Sequence, residues 1–180
     1  MANDWTLYSP DAEPDRFEES IANHAKWRAV AFQLLDAARL LWPLIASGYQ
    51  DMAARFQEPD AGEGLRMRGP FYLLSGLAVE NLLKAIIVKQ LPPGASLVRR
   101  DKLDAGVKHH KLTSLCDRAR VTLSPKDKAF LERLTKFVEW RGRYPVPNQR
   151  PAENDVTMTT TQDLRRIEEI MKTLDDRYNS

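Results

Sequence analysis

Apolar residues fall at steps of three and four over most of this chain. From about Pro14 to Gln57 they recur at Trp27, Val30, Ala31, Leu34, Leu35, Ala38, Leu41, Trp42, Ile45, Tyr49, Met52 and Phe56, the single stripe of a long amphipathic helix. Pro43 has no backbone N–H to donate, which predicts a kink or break near Ala38–Trp42. The glycine-containing stretch Glu58–Gly69 reads as an exposed loop. A second helix is predicted from about Pro70 to Leu91. It is apolar on most sides, so it is expected at the centre of the protein. Pro92-Pro93-Gly94 stops it.

Ala95–Lys108 reads as a basic loop, and a short third helix follows over about His110–Arg120, with Leu112, Leu115, Cys116 and Ala119 facing inward. The fourth has the clearest start. Ser124 suits the N-cap, Pro125 the first helical position, and Asp127 completes a capping-box pattern. Phe130, Leu134, Phe137 and Val138 form its stripe, and it ends near Arg143. Tyr144–Met158 reads as a long loop or crossover. A last helix beginning near Thr160 or Thr161 carries Leu164, Ile167, Met171, Leu174 and Tyr178. No strand, repeat or low-complexity tract is evident. The expected fold class is all-α, an antiparallel bundle of four or five helices in one domain over residues 20–180, preceded by a partly ordered acidic segment, 1–19.

Composition narrows the setting. At 180 residues and 43% hydrophobic, the chain has enough apolar material for one core. Its longest stretches without a charged residue, Leu40–Gln50 and Gly69–Val79, are 11 residues each, against about 18 for a membrane span. Met1–Ser20 is acidic, unlike a secretory signal. The single cysteine, Cys116, excludes an intrachain disulfide and a CxxC zinc site. A cytoplasmic protein with no membrane association and no cofactor is expected. Net charge is only +2, but residues 84–143 hold 15 Lys/Arg against six Asp/Glu. Such a segment either keeps helix faces soluble or attracts phosphate.

Three groups of residues hold candidate chemistry. Glu80 falls among Leu73, Leu77, Leu83 and Ile87 on one helix face, so its carboxylate needs a partner. Lys84 at i+4 is the simplest, and an arginine of the fourth helix is the alternative. The run Trp140-Arg141-Gly142-Arg143-Tyr144 concentrates two guanidiniums, an indole and a phenol. These suit the negative end of a helix, or phosphate binding with base stacking. His109-His110 reads as exposed or capping residues, with a proton-transfer role as the alternative. Adjacent residues do not face one way, and no metal-binding spacing is present. P-loop, GxGxxG and GxSxG motifs are absent.

Leu77-Ala-Val-Glu80-Asn-Leu-Leu-Lys84-Ala, then His110-Lys-Leu-Thr-Ser-Leu115, then Trp140-Arg-Gly-Arg143-Tyr-Pro145, in that order and spacing, resemble HEPN-domain proteins over roughly residues 20–178. The resemblance implies a small helical bundle, often a homodimer. Many members are metal-independent ribonucleases, including toxins partnered by an antitoxin. Their site is an Arg, four to six residues, then a His. Here Arg143 matches the Arg, and Asn148 stands where the His is due. Asparagine can hydrogen-bond a phosphate or hydroxyl but exchanges no proton near neutral pH, and losing acid–base help typically forfeits ~10²–10⁴ in rate.

Three functions follow as expectations. The leading one is a catalytically weakened or inactive HEPN-like homodimer that binds nucleotide, RNA or a protein partner. Arg143 and Asn148 would form its centre, Arg141 would assist, Tyr144 or Trp140 would stack, and Glu80 would orient the arginines. The second is an active endoribonuclease toxin using Arg143, with His110 as substitute base. The third is an interaction module joined through the Leu164–Leu174 stripe.

Overall fold

The computed structural model describes residues 19–54, 66–92, 98–99, 102–143, 160 and 162–180. The described chain is mostly helical. Its elements are α1 (His24–Ala54), α2 (Arg68–Lys89), β1 (Val98–Arg99), β2 (Lys102–Leu103), α3 (Ala105–Lys108), α4 (Leu112–Arg118) and α5 (Pro125–Lys136), which continues into a π-helical turn (Phe137–Arg141), then α6 (Asp163–Asn179).

The apolar character of α2 makes it the axis on which the others pack. Its residues Phe71, Tyr72, Ala78, Val79, Leu82, Leu83 and Ile86 are buried. Side-chain pairs fix the directions of its neighbours. Trp42 packs on Phe71 and Lys84 lies over Trp27, so α1 runs antiparallel to α2. Tyr72 donates to Asp163 at one end and Lys89 to the Tyr178 carbonyl at the other, so α6 runs parallel to α2. Between α1 and α6, Arg28 forms a two-bond pair with Asp175 and Arg39 meets Glu168. The third side is closed by α4 and α5. The Ser124 cap is as expected, its hydroxyl accepting from the Asp127 amide at 3.2 Å.

Several expectations are corrected. The α1 helix runs unbroken through Pro43. Pro43 and Arg39, the residue four before it, are both exposed, so water can bond the carbonyl that the missing N–H leaves. Val30, expected in the buried stripe, is exposed, as are Leu40 (78%) and Leu44 (50%). The Leu164–Leu174 stripe is not an open face, because Ile167, Met171 and Leu174 are buried in this chain's own core. The basic loop contains structure: β1 and β2 pair antiparallel with Val98 opposite Leu103, and α3 follows, capped by the Asp104 side chain. Residues 1–18 of the acidic N-terminal segment, 58–65 of the Glu58–Gly69 loop and the Tyr144–Met158 crossover lie outside the described residues. By length and composition His24–Gly48 and Arg68–Lys89 would each reach across a membrane. Most of the second is buried within the protein as its core, and most of the first is not.

Candidate functional site

Two polar constructions lie along one face of α2. The first is centred on Glu80, which is 4% exposed, beside Lys84 at 5%. The carboxylate takes the Lys84 ammonium at 2.6 Å and, through its other oxygen, the His110 ring at Nδ1, 2.9 Å away. The i, i+4 spacing brings Lys84 to Glu80, and the chain before α4 brings His110. That chain is anchored where the Leu112 amide donates to the Thr135 hydroxyl of α5 at 3.2 Å. Glu80 therefore has the expected lysine, but its second partner is a histidine and not an arginine. The α5 arginine inside the protein, Arg133, is instead held 2.8 Å from Asp163. The expectation that Glu80 orients arginines is thus replaced by a lysine–glutamate–histidine chain. His110 is partly exposed at its outer end. His109 is pushed below the ordinary imidazole value, first by partial burial and then by the charges of Lys84 and Lys111.

The second construction is the π-helical turn that ends α5. The Gly142 amide donates to the Phe137 carbonyl five residues back, at 3.0 Å. A Cβ on Gly142 would stand 2.6 Å from the Leu73 Cβ and 2.9 Å from the Phe137 carbonyl oxygen, so only glycine lets this turn lie so close to α2. One turn along, a Cβ on Gly76 would meet the Val138 side chain at 2.4 Å. The turn presents Trp140 and Arg141, with the guanidinium 5.0 Å over the indole. Arg143 is exposed, and its Nη2 donates back to the Val138 carbonyl. That is the ordinary role of an arginine at a helix end. A longer contact runs from the same Nη2 to the Glu139 carbonyl at 3.5 Å, so this nitrogen faces the backbone and Nε and Nη1 are left for a ligand.

Leu73 and Glu80 are seven residues apart, nearly two turns on the same face of α2, so the two constructions are separated by roughly 10 Å along the axis. Tyr144 and Asn148 lie outside the described residues. No group of three or more His, Cys, Asp and Glu side chains among the described residues is arranged to hold a metal ion. Cys116 is buried and its thiol is pushed up to about 12, mainly by burial, so it stays protonated and unreactive near neutral pH. The Glu80–His110 pair is the feature that sequence reading did not assemble, because the partners are 30 residues apart and the connection between them has no periodicity. Comparison with protein-family models, curated proteins and solved structures finds no match to this chain.

Proposed function

We propose that this is a HEPN-like protein, a bundle built from the five longer helices, that binds the phosphate backbone of RNA as a homodimer with weak or absent catalysis. The observation carrying this reading is the π turn, which sets Trp140, Arg141 and Arg143 together at one end of the core, with Gly142 fitted against Leu73. π-Helical turns occur frequently at functional sites. Arginine forks suit phosphate, and an indole beside them gives a base a surface to stack on. Asn148 would add a hydrogen bond and no proton transfer. Support for pairing of two copies is the exposed α1 stripe. Val30 and Leu44 each lie seven residues, about two turns, from Ala37. A two-fold axis near Ala37 would set Val30 of one copy against Leu44 of the other.

An active metal-independent endoribonuclease is the second reading, and the Glu80–His110 pair favours it. A carboxylate bound to one ring nitrogen orients a histidine for proton transfer at the other. One experiment tests both. RNA binding and cleavage are measured in excess chelator for the wild type, Arg143→Ala, His110→Ala and Asn148→His. The leading reading expects binding by the wild type, loss of it in Arg143→Ala, and cleavage only in Asn148→His. Cleavage by the wild type that vanishes in His110→Ala and Arg143→Ala would establish the second. Binding unchanged by Arg143→Ala would refute the site, and a wild type that neither binds nor cleaves RNA would leave an interaction module.

A further inference from the structure

The opposite end of α2 carries a cleft of about 350 Å³ lined by Ile87, Gln90, Leu91, Arg118, Arg120 and Arg177. Ile87 is fourteen residues beyond Leu73, or roughly 21 Å along the axis, so this cleft is separate from the Arg143 turn. A second cleft of about 250 Å³ shares Gln90 and Arg177 with it and adds Lys89 and Tyr178. The geometry points to a binding site for linked phosphates, a diphosphate or triphosphate group, at this end of the protein.

Arg120 marks this cleft. It has φ of 54° and is the one non-glycine residue with positive φ among those described. The Val121 amide donates to the Cys116 carbonyl and the Arg120 amide to that of Asp117, the double closure that ends many helices and normally places glycine at Arg120's position. A side chain there is sterically costly, and the closure itself does not require one. Arg118 and Lys89, in the last turns of α4 and α2, already answer the negative ends of those helices. Arg120 lies one step past that need, is exposed, and has no carboxylate partner among the described residues. A strained residue whose side chain the fold does not use is a reason to look for a ligand.

The neighbours are positioned to share such a ligand. Arg118 is held by Asp104 at 3.1 Å and passes over Gly106, where a Cβ would collide with its guanidinium. Gln90 donates through Nε2 to the Ala119 carbonyl at 3.1 Å, tying the end of α2 to the end of α4. Arg177 reaches in from α6 with one nitrogen on the Ser180 hydroxyl. Three guanidiniums from separate positions around one cleft suit several phosphate oxygens at once.

The test is calorimetric titration with inorganic pyrophosphate and with ATP, without added metal, on the wild type, Arg120→Gly, Arg177→Gln and Arg143→Ala. The wild type is expected to bind pyrophosphate. Arg120→Gly should weaken that binding at least about tenfold while its thermal midpoint stays level or rises, because glycine relieves the backbone. Arg177→Gln should weaken it as well, and Arg143→Ala should leave it unchanged. Tighter binding of ATP would extend the site to a third phosphate or the nucleoside, and equal binding would make two phosphates the whole ligand. A wild type that binds neither compound, an Arg120→Gly variant that binds as the wild type does, or loss of binding in Arg143→Ala would overturn the proposal.

Discussion

Replacing Glu80 by glutamine keeps the side chain's shape and removes its charge, which leaves the Lys84 ammonium buried without a counter-ion. With Glu80 and Lys84 only 4% and 5% exposed, water cannot compensate. Breaking one side of such a pair costs about 3–5 kcal/mol. The loss of the His110 contact adds less than about 1 kcal/mol, since that ring is partly in solvent. Against a typical total stability of about 5–15 kcal/mol, the change is large. For a chain of this length 3 kcal/mol corresponds to a fall of roughly 6–12 °C in the thermal midpoint. The double variant Glu80→Leu with Lys84→Met should recover about 2 kcal/mol or more relative to Glu80→Gln, because an apolar pair leaves no charge to desolvate. Urea and thermal unfolding of the wild type, Glu80→Gln, the single variants Glu80→Leu and Lys84→Met, and the double variant measure this cycle. A Glu80→Gln midpoint within about 2 °C of the wild type, or a double variant as unstable as the sum of the singles, would refute the reasoning.

Gly76→Ala should destabilise by about 1–3 kcal/mol, since its Cβ would stand 2.4 Å from the Val138 side chain, and Val138→Ala in the same chain should restore most of the loss in urea unfolding. Asp163 is buried, which by itself would raise its pKa. The Tyr72 hydroxyl, the Thr160 hydroxyl and amide, and Arg133 outweigh that and hold it below the usual carboxylate range. Its stabilising contribution should therefore be complete above the unfolded-state value of about 3.9 and disappear as pH falls through the lower native value. Asp163→Asn should lose about 3 kcal/mol near neutral pH and flatten the acid limb of a stability–pH curve; an unchanged acid limb would assign it to other carboxylates. Leu44→Glu is expected to convert dimer to monomer in light scattering with the far-UV circular dichroism spectrum unchanged, and a wild type that is already monomeric would dismiss the α1 stripe as an interface.

Where the sequence was legible, the signal was periodic. The buried face of α2 and the Ser124 cap follow from spacing and local chemistry, and both are found as expected. So is Lys84 beside Glu80, since four residues along a helix is a fixed geometry. What periodicity does not encode was missed. Val30 and Leu44 have the same apolarity as the buried positions of α1, and only the arrangement of the other helices decides which side of it is covered. His110 reaches Glu80 through a non-repeating connection. The left-handed Arg120 occupies a position that sequence rules reserve for glycine.

The π turn at Phe137–Arg141 has a consequence for chain length. It accommodates one residue more than an α-helix would between the same two contacts on α2. Were the same residues wound as an uninterrupted α-helix, every position beyond the turn would rotate by roughly 100° about the helix axis. Gly142 would leave Leu73, and Arg141 and Arg143 would swing to another side of the protein while Phe130, Leu131 and Leu134 stayed in the core. The aim of this arginine pair is thus held by a count of residues, and a one-codon deletion within the turn would return that turn to an α-helix with Gly142 still on Leu73.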